Sequence, residues 1–436
     1  MAINEQEIQE IVRSVLKGMG TTAAAPAAPK APEKKLLGIF ETADEAIAAA
    51  KAAQKEIQPM PLEFREKIIA NIRKKTLENA KLLSELAVEE TGMGNVGHKI
   101  IKHQLVAEKT PGTEDLKTIA WSGDRGLTLT EMGPWGVIGA VCPSTNPTCT
   151  VICNSIGMLA AGNAVVFMPH PSAKNCSNLA IDMVNRASVE VGGPENIVTA
   201  VAEPTMDVSN YIFKHKDVDM LCATGGPGVV TAVLSSGKRA MGAGAGNPPV
   251  LVDETANIPK AAQDIINGCT FDNNLPCIAE KEVVVVDTVA DELIYHMEQN
   301  GCYHASPEEV QKLVDTVLDD KNGKKVISRK CVGRSAKVLL GKIGVTVGDE
   351  VRCIIFEGEK THPLIWTELM MPILGIVRVK NVDEGIAVAV ELEHGNRHSA
   401  HMHSTNINNL TRFGKAIDTA IFVKNAPSYA ALGFGG

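Results

Sequence analysis

The run WGVIGAVCPSTNPTCTVICNSIGMLAAGNAVVFM, Trp135–Met168, reads strand, turn, helix, strand. Trp135–Val141 and Ala164–Met168 are short apolar runs, and between them Cys149–Ala161 repeats apolar residues at helical spacing. Asn146-Pro147 signals the turn into that helix. The alternation continues on the C-terminal side. Helices are expected over Ala173–Val191, Pro204–Lys214 and Val229–Ser236, with strands over Asn196–Val201, Val218–Cys222 and Val250–Asp253. Such a βαβ rhythm predicts an α/β fold with a parallel, doubly wound sheet and helices on both faces. Ligands of such sheets bind beyond the carboxyl ends of the strands. On the N-terminal side, residues 42–56 and 62–90 read as helices rich in Ala, Glu, Lys and Leu. Residues 258–428 carry their own strands, Val283–Val286 and Ile373–Val379, and read as a second α/β domain. Gly126–Glu131 alternates like an exposed strand, which suits an oligomerisation arm.

The chain has 436 residues, enough for two or three compact domains. It is 44% hydrophobic and 22% charged, with a net charge of −8. No basic run is present and aromatic residues are 4%, which argues against nucleic-acid binding. No apolar stretch reaches the length of a membrane span, and no secretory signal opens the chain. The ten cysteines are irregularly spaced, without CxxC or zinc-type pairing, which fits free thiols in a reducing, cytoplasmic compartment.

Residues 1–18 form a separate island. Ile3, Ile8, Ile11, Val12, Val15 and Leu16 recur at helical spacing, with Glu5, Gln6, Gln9, Glu10 and Arg13 opposite. An Ala/Pro linker, 19–35, follows and is expected to be extended and mobile. A short amphipathic helix on such a tether is expected to lay its apolar stripe on a partner rather than on its own body.

Cys277 ends the polar loop Phe271-Asp-Asn-Asn-Leu-Pro-Cys277, just before the apolar run Glu282–Asp287 (EVVVVD). A thiolate there could capture an aldehyde or acyl carbon covalently; a buried structural thiol is the plainer reading. Pro143-Ser-Thr-Asn146-Pro147 lies at the end of a strand, where an asparagine amide could donate to a developing oxyanion, or could simply make a turn. Thr224, Gly225 and Gly226 follow the strand at 218–222 and open a helix, which suits a close-approaching nucleotide but is not the full dinucleotide fingerprint. His394, His398, His401 and His403 cluster without metal-ligand spacing, and His401 and His403 should share one face of a strand. They read as hydrogen-bonded imidazoles, so no metal is expected. Cys149 and Cys153 read as core residues one helical turn apart.

Taken together, residues 36–436 resemble the CoA-acylating aldehyde dehydrogenases. The resemblance runs through Pro134-Trp-Gly-Val-Ile138, Pro143-Ser-Thr-Asn-Pro147, Leu159-Ala-Ala-Gly-Asn-Ala-Val-Val166, Thr224-Gly-Gly226, Gly244-Ala-Gly-Asn-Pro-Pro249, the Cys277 segment and Thr367-Glu-Leu-Met-Met-Pro372. It is greatest for the propionaldehyde and acetaldehyde dehydrogenases of bacterial microcompartments, which carry an N-terminal encapsulation helix and linker. The resemblance implies a Rossmann-type cofactor domain (36–116 and 133–246), an oligomerisation arm (117–132) and a catalytic domain (247–428). It implies Cys277 as nucleophile, with Asn146 and the Cys277 N–H as oxyanion hole. It implies NAD bound near Pro143, His170, Thr224, Gly225 and Gly226, with Glu368 on the nicotinamide ribose. Coenzyme A would then release the acyl group. Implied partners are a short-chain aldehyde, shell or cargo proteins at 1–18, and further copies of the chain in a homodimer or homotetramer. The implied location is the microcompartment lumen. Relatives continue past Gly436 with a segment that completes the arm.

Two departures from the hydrolytic members matter. Their general-base Glu is missing from Gly242-Ala-Gly-Ala-Gly-Asn247, and no carboxylate stands between Lys238 and Asp253. Water without a base is a poor nucleophile, whereas a thiol is already partly ionised, so release by CoA is favoured. Their adenosine-ribose Lys is replaced within Met168-Pro-His170-Pro171, which leaves NAD against NADP open and can admit a second adenine nucleotide. The alternatives are a hydrolytic dehydrogenase and a non-catalytic cargo adaptor on the same fold.

Overall fold

The computed structural model describes residues 35–434 apart from Asn322; the expected helix at 1–18 and the linker up to residue 34 lie outside the described residues. Two parallel sheets form the frame. The first runs Ile39–Phe40, Val198–Val201, Ala164–Met168, Val137–Val141, Met220–Thr224, Arg239–Ala243, every neighbouring pair parallel. The second runs Cys302–His304, Cys353–Glu357, Ile373–Val379, Glu282–Val286, Pro249–Val252, Ser399–His403, Ile421–Lys424, again all parallel.

Both faces of each sheet are covered, which is why the central strands are apolar runs rather than alternating ones. Side chains alternate between faces along a strand. Val283 and Val285 accordingly enter a core with Ile265, Ile266 and Leu293, while Val284 and Val286 enter another with Phe356, Leu392 and Phe413. In the first sheet Val165 and Phe167 pack towards Ile68, Ile72 and Ile156, and Ala164, Val166 and Met168 towards Ile47 and Phe213.

The expected helices at 42–56 and 62–90 are Ala43–Ile57 and Leu62–Thr91. The first opens with a capping box between Thr42 and Glu45. The βα elements differ from expectation by a residue or two at their ends; the strand expected at Val218–Cys222 is Met220–Thr224, so Thr224 closes the strand instead of opening the turn. The helix Val96–Lys109 and the strand Arg239–Ala243 were not anticipated. Cys149 is buried as expected, but Cys153 is exposed. The buried stripe of its helix runs through Val151, Ile152, Ile156 and Leu159, and Cys153 lies off it.

Ile119–Gly123 and Gly126–Thr130 pair as an antiparallel hairpin whose residues are all exposed. Its large apolar side chains, Trp121, Leu127 and Leu129, are each more than half accessible (57%, 63% and 60%). Among the described residues no helix is long and apolar enough to cross a membrane.

Candidate active site

The site is built between two sheet edges. Cys142–Asn146, His170 and Gly225–Gly226 follow the carboxyl ends of three neighbouring strands of the first sheet. Cys277, Gly246, Glu368 and His398 instead precede four neighbouring strands of the second sheet, at their amino ends. The expectation of ligands beyond carboxyl ends therefore describes the first sheet only. Cys277 is offered from the opposite edge of a different sheet.

The loop before Cys277 has an unusual backbone. Asp272, Asn273 and Asn274 all have positive φ, 49°, 54° and 66°. Asn and Asp tolerate this region best among residues with a Cβ, yet each such residue costs on the order of 1–3 kcal/mol. Each is held by its own side chain. Asp272 receives Lys99 Nζ at 3.0 Å and Lys102 Nζ at 2.5 Å. Asn273 donates to Gly333 O at 2.9 Å. Asn274 donates to Cys269 O and Glu280 O, both at 2.9 Å. The Asp272 amide donates to His98 Nδ1 at 2.9 Å. His98 stacks on Phe271, 4.9 Å between ring centres, and burial pulls its pKa down to about 4, which keeps Nδ1 an acceptor.

Cys277 is partly buried. Burial pushes its thiol up; Lys281 opposes this, Glu368 adds to it, and Lys102 opposes it. Lys281 is itself buried and donates to Asn274 O at 3.2 Å. Glu280 is fully buried, accepting from Ser428 N at 2.8 Å and Ser428 Oγ at 2.6 Å, and burial pushes its carboxyl up to about 8. His401 Nε2–H donates to Ile278 O at 2.9 Å, so one of the clustered histidines braces the residue after Cys277. Burial lowers His401 to about 4 and His403 to about 3, leaving both neutral. They share one face of the strand Ser399–His403, as the spacing predicts.

Asn146 stands at the start of the helix Pro147–Ala160, and its side-chain oxygen receives Lys102 Nζ. Glu368 accepts a long 3.4 Å hydrogen bond from Gly246 N–H, and burial raises its carboxyl. A partly buried carboxyl so lightly engaged has capacity left for ligand hydroxyls. Gly226 has no atom within 4 Å of where a Cβ would stand, and the turn it begins leads into the helix Pro227–Leu234. Open space is thus present at Gly226, whereas a Cβ on Gly225 would stand 2.9 Å from Val229 Cγ1, so packing within the protein accounts for that glycine. Pro143 lies beside Cys142, whose amide donates to Met168 O at 3.1 Å. His170 Nδ1 accepts from Ser172 N–H at 3.2 Å, and its pKa is lowered by burial and then by Arg329.

Sequence reading missed His398, Lys102 and Lys281. A Cβ on Gly246 would stand 2.9 Å from the His398 ring, so this imidazole lies against the segment that lacks a carboxylate. Burial and then Lys281 lower its pKa. The missing base at 242–247 was the signal that could have directed attention to a neighbouring imidazole.

Residues 37–436 match the aldehyde dehydrogenase family model. The chain is 46% identical over 437 residues to the acetylating acetaldehyde dehydrogenase EutE of Salmonella typhimurium, covering 100% of this chain and 92% of that protein. A solved propionaldehyde dehydrogenase from the Clostridium phytofermentans fucose utilisation bacterial microcompartment superposes with a TM-score of 0.90 at 63% identity, covering 92% of this chain and 91% of that one. The Rhodopseudomonas palustris propionaldehyde dehydrogenase, solved with bound CoA and an acylated cysteine, superposes with a TM-score of 0.89 at 53% identity, covering 92% and 91%. The chain belongs to the aldehyde dehydrogenase family, among its CoA-acylating members.

Proposed function

We propose that this chain converts propionaldehyde, NAD and coenzyme A to propionyl-CoA and NADH through a thioester on Cys277. The observation that carries the reading is a strained loop, fixed by its own side chains, presenting Cys277 ahead of a strand that pairs with the one preceded by Gly242–Asn247, a segment that holds no carboxylate. Cys277 Sγ gives up its proton to solvent and adds as the thiolate to the aldehyde carbon, and the resulting oxyanion takes hydrogen bonds from the Asn146 amide and the Cys277 N–H. A bound nicotinamide would supply the acceptor for the hydride lost from this adduct, and coenzyme A would supply the thiol that removes the acyl group. Glu368 holds ribose hydroxyls, and Pro143, His170, Thr224, Gly225 and Gly226 line the nucleotide's path. His398, neutral and set against Gly246, takes the proton of the incoming thiol. The Cys277 thiolate then departs as the leaving group, and release of the His398 proton to solvent restores the enzyme.

Residues 1–18 dock on shell or cargo proteins of a microcompartment, supported by their apolar stripe and by the similarity to a microcompartment enzyme. The hairpin 119–130 meets further copies of the chain, supported by its exposed Trp121, Leu127 and Leu129.

The test is NADH formation from propionaldehyde and NAD, with and without CoA, in the wild type and Cys277→Ser. Turnover that needs both CoA and Cys277 supports the proposal. Equal turnover without CoA establishes water as the nucleophile and overturns it. An inactive wild type whose Cys277 resists iodoacetamide favours the adaptor reading.

A further inference from the structure

We propose that Lys102 is a positioning residue that aims the Asn146 amide at the oxyanion, an inference that rests on the oxyanion reading above. Five asparagines stand at helix N-caps among the described residues: Asn95, Asn146, Asn257, Asn381 and Asn406. Four of them accept backbone N–H groups of their own helix through the side-chain oxygen. Asn146 does not cap its helix. A cap contributes about 1 kcal/mol, and here that local preference is overridden.

The Asn146 backbone, at φ −136° and ψ 55°, departs from the extended N-cap conformation of the other four, and its side chain is held by Lys102 instead. Its ammonium donates to Asn146 Oδ1 and to Asp272 Oδ2. An ammonium has donors and no acceptor, so only the carbonyl end of the amide can face it. The NH2 end must point the other way, where its one recorded contact is a weak 3.4 Å approach to Thr145 Oγ1. Those two N–H donors are left for a ligand. A neutral apolar side chain at 102 would let the amide rotate and cap the first turn, as the other four asparagines do. The positive charge also polarises the amide it holds, which strengthens its N–H donors.

Lys102 is fixed in turn. It and Lys99 lie three residues apart on one face of the helix Val96–Lys109, 6% and 3% exposed, and both reach the fully buried Asp272. Lys99 also donates to Thr145 O at 3.2 Å. Two ammoniums thus clamp residues 145–146 to the carboxylate that opens the left-handed run leading to Cys277. Buried ion pairs are costly and are often no more stable than apolar replacements, so their use here fits geometric specification of the site.

The experiment compares Lys102→Met, Asn146→Ala and the double variant by the pre-steady-state NADH burst with propionaldehyde and NAD. Melting and iodoacetamide labelling of Cys277 check that each variant is folded. Each single change is expected to slow the burst about 10²–10³-fold at nearly unchanged aldehyde KM, as loss of one oxyanion donor does. The double variant should be no slower than Asn146→Ala, because Lys102 acts through Asn146. Multiplying losses, or a wild-type burst in Lys102→Met, overturn the inference. A wild-type burst in Asn146→Ala removes the oxyanion reading itself, which separates the two failures. If Lys102→Met does not fold, Lys102→Arg decides: its guanidinium donates and has no acceptor, so its burst should stay at least about tenfold above that of Asn146→Ala. Equality between those two overturns the inference.

Discussion

The amine of Lys281 donates to the backbone carbonyl of Asn274 at 3.2 Å and also to that residue's side-chain oxygen. The contact closes the loop that begins at Phe271 and puts a buried positive charge four residues after Cys277. Burial raises the Cys277 thiol, and Lys281 is the first group that opposes it. Lys281→Met should therefore move the thiol further up. Inactivation by iodoacetamide, followed against pH, should shift to higher pH and become several-fold slower at neutrality. An unshifted profile would remove Lys281 from the control of this thiol.

Glu280 gives stability its own pH dependence. Its carboxyl is raised from 4.5 to about 8 in the folded protein by burial. The folded state therefore holds a proton that the unfolded state gives up above its lower pKa. This contribution is complete below the unfolded value and is lost as pH rises through about 8. Glu280→Gln cannot ionise and should flatten the fall in stability over that window. Denaturant melts at a series of pH values check this; parallel curves for wild type and variant would contradict it.

Two glycines separate packing from ligand contact. A Cβ on Gly268 would stand 2.2 Å from Glu280 Oε2. Gly268→Ala should cost about 1–3 kcal/mol in a denaturant melt, as overpacking does. A Cβ on Gly226 meets nothing within 4 Å. Gly226→Ala should leave stability within about 0.5 kcal/mol while raising the KM for NAD. Equal KM in that variant would remove Gly226 from the nucleotide path.

His398→Asn distinguishes the two half-reactions. With His398 as base for the incoming thiol, the NADH burst should persist while CoA-dependent steady-state turnover falls about 10²–10⁴-fold. Equal loss in both phases would mean that the imidazole supports the whole site rather than thiol attack.

The histidine cluster illustrates where sequence reading stops. Its four members fall within ten residues, from His394 to His403, which brings a metal to mind. Folded, three of them serve separate partners: His394 Nε2 meets Trp366 O, His398 Nδ1 meets Ser399 Oγ, and His401 Nε2 meets Ile278 O. Proximity in the chain carried no information about Trp366 and Ile278, because each belongs to another segment; only Ser399 is a chain neighbour of its histidine.

The periodic features were decided by the sequence itself. Apolar runs such as Ala164–Met168 and Glu282–Val286, alternating with helical patterns, suit strands buried on both faces, so a parallel doubly wound sheet and a second α/β domain were legible from the chain itself. The loops holding Cys277, Asn146 and Gly225–Gly226 were legible as the breaks between those runs, whereas Glu368 was reached only through the family resemblance. Tertiary structure alone decided that Cys277 approaches from amino ends of strands, and that Lys99, Lys102 and Lys281 lie inside. In sequence, Lys102 and Asp272 stand 170 residues apart. A lysine in a helical pattern reads as solvent-facing, and it becomes a buried donor only when packing brings a carboxylate and an amide oxygen to it. Local periodicity fixes which elements form; the energy of burying a charge depends on partners that only the folded chain supplies.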